Sequence, residues 1–166
     1  MVSRNFIKSI VYGFAMMFIA AGLLYGFTLL QKNMATSDSE SSYIGTLTNI
    51  VDEMKKISID EQNLIQRWHA ETVDVGTALS GFADAKAKRQ SMDDDFFSRS
   101  PPEKFSQIHV QLGDANKVYM EADDLYREGV FQDRDDYIAD ADARVVIAKE
   151  KMNFALSQLA ALGYKL

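Results

Sequence analysis

The sequence predicts an all-α protein in which one N-terminal transmembrane helix is followed by an antiparallel three-helix bundle with a long first helix. Three observations carry that reading. The stretch Ile10–Leu30 holds no charged residue, apolar residues beyond it recur at steps of three and four, and no segment alternates with period two over a convincing length. The 166 residues leave room for an anchor and one small domain, since a domain commonly takes about 100–150 residues.

The uncharged run, IVYGFAMMFIAAGLLYGFTLL, has the length a helix needs to cross a hydrocarbon core of about 30 Å. It is longer than the apolar core of a secretory signal, roughly 7–15 residues, and no Ala-x-Ala cleavage site follows it, so an uncleaved anchor is expected. Arg4 and Lys8 precede the run, whereas Lys32 is soon followed by the polar, acidic segment Thr36–Ser42. The positive-inside bias therefore puts residues 1–9 in the cytoplasm and the C-terminal domain outside the cell membrane. Inside the span, Gly22 and Gly26 form Gly-x-x-x-Gly, which clears one helix face for the close approach of another backbone.

Residues 32–42 read as a linker and 43–166 as the outer domain, with helices over about 43–90, 101–129 and 133–162. The first carries Ile44, Leu47, Val51 and Met54, then Ile65, Trp68, Val75, Leu79 and Phe82. This is close to a heptad repeat, interrupted where Ser58 and Glu61 occupy inward positions and at Ile57–Asp60, so one long helix or two end to end both satisfy it. After a loop at Ser91–Arg99, Ser100-Pro101-Pro102-Glu103 has the form of a capping box with proline at the first helical position. The helix it opens carries Phe105, Ile108, Leu112, Ala115, Tyr119, Ala122 and Tyr126 on one face and is expected to end near Gly129. Asp133 reads as the cap of the last helix, with Asp136 as its reciprocal partner and Gly163 as the C-terminal glycine.

Composition and motifs exclude more than they nominate. The chain has no cysteine, hence no disulfide, no thiolate ligand and no cysteine nucleophile. Beyond Lys32 it carries 15 basic against 24 acidic residues, a balance that argues against nucleic acid as a partner. His69 and His109 lack any His-x-x-x-His or Glu-x-x-His spacing that would set two metal ligands on one helical face. An EF-hand starting at Asp133 fails at its sixth position, Ile138, and its twelfth, Arg144; the aspartates there, like Asp93–Asp95, read as helix-end and loop charges. Trp68 falls in the inward register and reads as a core residue. Phe96 and Phe97, adjacent in a predicted loop, fit either a fold back over the bundle end or an exposed partner contact. No phosphate-binding loop, nucleophile elbow or paired nucleophile and base is present. No catalytic residue, cofactor or metal is therefore expected.

The segment Pro101-Pro102-Glu103-Lys104-Phe105 with His109 and Leu112, followed by Tyr119-x-x-Ala122 and an alanine-rich closing helix, resembles helical domains of bacterial membrane-anchored extracytoplasmic proteins and lipoproteins. The resemblance covers about residues 100–166 and implies an extracytoplasmic location without implying a mechanism. The expected function is a non-enzymatic interaction module, an accessory or scaffolding subunit whose anchor and first outer helix pack against other membrane proteins or copies of itself in the lipid bilayer. The alternative is an extracytoplasmic ligand-sensing bundle that works with a separate transducing partner.

Overall fold

The computed structural model describes residues 39–164, and every regular element among them is helical. The residues from Tyr43 onward form one compact unit, the helical bundle. No helix among the described residues is long and apolar enough to cross a membrane, and the predicted span Ile10–Leu30, with Gly22 and Gly26, lies outside them.

The bundle has four helices, where the sequence predicts three. Helix α1 runs over residues 39–69, α2 over Val75–Met92, α3 over Ser106–Gln132 and α4 over Asp135–Ala161. The predicted long first helix breaks at 70–74, because the chain turns there by a Schellman motif. Glu71 takes φ 53°, its N–H donates to the Trp68 carbonyl (2.9 Å) and the Thr72 N–H donates to the Arg67 carbonyl (2.9 Å). A non-glycine residue at that left-handed position hid the turn. Asp74 then caps α2, with Oδ1 accepting from the Thr77 N–H (2.8 Å) and Oδ2 from the Thr77 hydroxyl (2.9 Å). The Ile57–Asp60 stretch suspected of breaking the helix is continuous α1.

Other ends are also displaced from the expected ones. The capping box at Ser100 does not form. Pro102 itself is extended (φ −56°, ψ 140°), so the helical conformation begins only after it, at a 3-10 turn, Glu103–Phe105. Gly129 does not end α3, which continues to Gln132 and stops where Asp133 enters the left-handed region at φ 53°. Gly129 serves packing instead: a Cβ there would come within 2.6 Å of Ile138 Cδ1 on α4. Asp133 is thus the terminator of α3. Arg134 precedes α4 without a side-chain cap and pairs with Asp136, whose carboxyl it holds below the usual range. Gly163, at φ 90°, closes α4 as expected, with the Tyr164 N–H reaching the Leu159 carbonyl (3.2 Å).

Side-chain pairs fix the topology. Leu64 lies against Gly81, Lys86 pairs with Asp124 (2.6 Å), and Arg144 pairs with Glu121 (3.1 Å), so each helix runs antiparallel to the one before it. Short connections between consecutive helices impose this up-down-up-down order. The core is drawn from the period-3.5 positions: Leu47, Val51 and Met54 of α1, Phe82 of α2, Leu112, Tyr119 and Tyr126 of α3, and Val145, Met152 and Leu159 of α4 are all buried. Alanines at 141, 148 and 155 line the inner face of α4 and let the helices approach closely.

Replacing Asp74 by alanine removes a cap that satisfies an otherwise free amide. Asp74→Ala should lower the unfolding free energy by about 1 kcal/mol, read as a shift in the urea midpoint with an unchanged slope.

Candidate functional site

Inward heptad positions are apolar along most of the bundle, and all the buried polar exceptions but His109 meet in one place. Ser58 and Glu61 of α1, Arg89 of α2, and Asn116 and Asp123 of α3 are all buried. Arg89 is fully enclosed. Its Nη2 lies 2.5 Å from Glu61 Oε2, its Nε lies 3.2 Å from Asp123 Oδ2, and its guanidinium stacks 4.3 Å over the Tyr119 ring. The Asn116 side-chain amide donates to the Arg89 carbonyl at 2.9 Å, tying α3 to the backbone of α2 as well as to its side chain.

Two carboxyl groups thus share one guanidinium in a place that water does not reach. Both ionised would leave a net negative charge in the core, which is strongly disfavoured. Burial, reinforced by the hydrogen bond and negative charge of Glu61, pushes the Asp123 carboxyl up to about 9. Asp123 therefore favours its protonated form at neutral pH, which reduces the negative charge enclosed with the guanidinium. Burial likewise raises the phenol of Tyr119, which sits beside Ser58, Glu61 and Arg89. Neighbouring Tyr126 donates to Asp142 Oδ1 on α4 at 2.6 Å and stacks on Phe82 at 5.1 Å.

On the outer side of Glu61, α1 and α2 enclose a groove of about 610 Å³. Ile57, Gly81 and Ala85 line it, the last two because α2 presents small residues to α1 there. Asp60, Arg67, Asp84 and Lys88 stand around it, all exposed, and none makes an ion pair among the described residues. Glu61 belongs to both the groove and the buried network.

The bundle end where α1 starts holds an aromatic cluster. Tyr43 stacks on Phe96 (5.5 Å between centroids) and Phe105 (5.0 Å), and Tyr164 meets Phe105 edge-on at 5.5 Å. The predicted loop after α2 is partly a π-helical turn, Asp93–Phe97, closed by the Ser98 N–H donating to the Asp93 carbonyl (2.9 Å). That turn folds Phe96 inward to 7% exposure and lays the half-buried Phe97 against His109, at 5.5 Å between ring centroids. Neither phenylalanine stands out as an exposed contact.

His109 is buried here between Tyr43 and the Phe97 carbonyl. With Nε2–H donating to Phe97 O (3.2 Å), Nδ1 accepts from the Tyr43 hydroxyl (2.9 Å). Desolvation lowers its proton affinity, so the neutral ring is the folded form. His69 is exposed against Trp68 at the far end of α1. Residues 43 and 69 of one helix are separated by roughly 39 Å at 1.5 Å per residue, so the two histidines do not meet. Among the described residues no group of three His, Asp or Glu side chains is placed to hold a metal ion.

Sequence reasoning located two of these five residues. Ser58 and Glu61 stood out as polar residues in an inward register, whereas Arg89, Asn116 and Asp123 went unmarked. The available signal was spacing: Arg89 falls in the buried series 78, 82, 85, 89, 92, and His109, Asn116 and Asp123 recur every seven residues along α3.

Two substitutions separate charge from packing. Arg89→Met leaves Glu61 buried without its cation and should cost about 3–5 kcal/mol of unfolding free energy, measured by chemical denaturation. For Asp123, a folded-state value above the unfolded one (3.8) means that the native state binds the extra proton. Its contribution is therefore complete below pH 4 and lost as pH rises toward about 9. Asp123→Asn, which cannot ionise, should flatten the decline in urea midpoint between pH 6 and 9 relative to the unaltered chain.

Comparison with protein-family models, with curated proteins and with solved structures yields no match.

Proposed function

We propose that this chain is a single-pass membrane protein whose helical domain stands outside the cytoplasm and works without catalysis, as an interaction module of a membrane complex or homo-oligomer. The observation that carries the docking part is a set of exposed apolar side chains on α4. Val146 (55% exposed), Ile147 (40%) and Phe154 (54%) lie on the surface of a helix whose opposite face fills the core. Burying side chains of this size in an interface is favourable, roughly 1.5–3 kcal/mol each when complete. The anchor rests on the uncharged run Ile10–Leu30 and its basic flank, and the Gly22/Gly26 face is the proposed contact within the bilayer. The location outside the cell membrane follows from that flank and from the likeness of residues 100–166 to extracytoplasmic bundles.

Gentle detergent extraction of the tagged chain from its native membrane, followed by mass measurement of the intact complex, tests the reading. A defined homo-oligomer or stoichiometric companion is expected, and Ile147→Asp with Phe154→Asp should release it. A monomer in the unaltered chain, or a complex indifferent to both changes, contradicts docking through α4.

A second reading, ligand sensing with a separate transducing partner, is favoured by one observation. The groove between α1 and α2 has the size of a small-molecule site, roughly 300–1,000 Å³, and shares Glu61 with the buried network.

A further inference from the structure

Helix α4 carries two apolar faces, and the bundle uses one of them. The series from Ile138 to Leu159 fills the core. A second series, Ala139, Ala143, Val146, Ile147 and Phe154, also recurs at helical spacing, lies on the far side of the helix at about 3.6 residues per turn, and is exposed throughout. Glu150 is the one charge that falls among these residues. The charges beside the strip are sorted by position. Asp140 on one side and Asp142 on the other flank its first half, and Lys151 and Lys149 flank the same two sides of its second half. Asp140, Lys149 and Lys151 make no ion pair among the described residues.

We propose that this face is the contact with a second copy of the same chain, α4 against α4 in antiparallel alignment, with Val146 of each copy facing Ile147 of the other. The charge order selects both the occupant and its direction. Antiparallel pairing sets Asp140 opposite Lys151 along one edge of the seam and Asp142 opposite Lys149 along the other, and the two-fold axis repeats both pairs. A parallel pairing in register would set acidic half against acidic half and bring the two Glu150 side chains together, and like charges across an interface are costly. The antiparallel register sets Glu150 against Ala143 instead. It also lays the Phe154 ring, 54% exposed, over Ala139, a large residue against a small one, as close packing of facing helices requires. A face whose charges complement themselves after a half-turn is what an isologous dimer needs.

The proposal rests on docking through α4 and names the partner. The chain has no cysteine, so a single introduced thiol reports on one position. Ala143→Cys and Glu150→Cys, both at exposed sites, are made in copies with different tags. These are purified at full length and mixed in detergent micelles, which leave each copy free to take either direction. Oxidation should join Ala143→Cys copies to Glu150→Cys copies. Ala143→Cys alone should stay unjoined, because the two thiols of that antiparallel dimer lie about 10 Å apart along the axis, beyond the reach of a disulfide. Ile147→Asp with Phe154→Asp in both copies should weaken the joining across tags by roughly tenfold or more. Joining of like with like, joining indifferent to the two substitutions, or no joining at all overturns the proposal. Its failure is distinguishable from failure of the docking reading. A complex in native membranes that Ile147→Asp and Phe154→Asp release, beside a purified chain that stays monomeric, leaves α4 a docking face for a different protein and removes only the second copy.

Discussion

The Arg89 guanidinium is the point on which three of the four helices converge. It projects from α2, meets Glu61 of α1 and Asp123 of α3, and sits over the Tyr119 ring. A guanidinium suits this place because its planar array of donors serves several acceptors while its face accepts an aromatic ring, which a lysine ammonium would not reproduce. Its enclosure also dictates the protonation state around it. Burial, reinforced by the neighbouring Glu61, raises the Asp123 carboxyl, so the enclosure favours the protonated form there.

Away from this network the bundle uses different means at its two ends. The end where α1 starts is closed by stacked rings, with Tyr43, Phe96, Phe105 and Tyr164 drawn from all four corners of the fold. His109 is held neutral among them, since desolvation lowers its proton affinity. The opposite end is closed by two backbone turns in which Glu71 and Asp133 occupy left-handed conformations and the N–H groups of the next residues reach back to Arg67 and Gly129. Rings give one end its rigidity and backbone hydrogen bonds give the other its direction.

The helical class and most inward positions were legible in the sequence because both follow from hydrophobic period alone. The number of helices was not, and the reason lies in residues 70–74. A Schellman turn normally announces itself with glycine, and here Glu71 fills that position, so the apolar series of α1 and α2 reads as one nearly continuous heptad pattern. The same substitution of an acidic residue for glycine at Asp133 made the end of α3 look like the start of α4. The polar core was legible only in part. A serine and a glutamate in an apolar register are visible as exceptions, but whether such exceptions are solvated or matched depends on which residues of other helices face them. That is decided by the antiparallel pairing of α1 with α2, which the missed turn concealed.

The matched exceptions explain how this bundle holds one alignment although its inner faces are repetitive. On α4 the sequence Ile138, Ala141, Val145, Ala148, Met152, Ala155, Leu159 presents nearly the same profile after a shift of seven residues. An apolar core alone discriminates weakly between such shifts, because each replaces one aliphatic contact by another of similar volume. The network does not tolerate them. Sliding α2 by one heptad would bring Phe82, or Phe96 of the turn that follows, to the position of Arg89 and leave Glu61 and Asp123 enclosed without a cation, at the full cost of an unpaired buried charge. Replacing the whole network by aliphatic residues would remove that penalty along with the network, so its contribution is to the choice among alignments more than to the depth of the native state. The same placement puts Glu61, the residue that pairs α1 with Arg89 of α2, among the residues that line the groove between them.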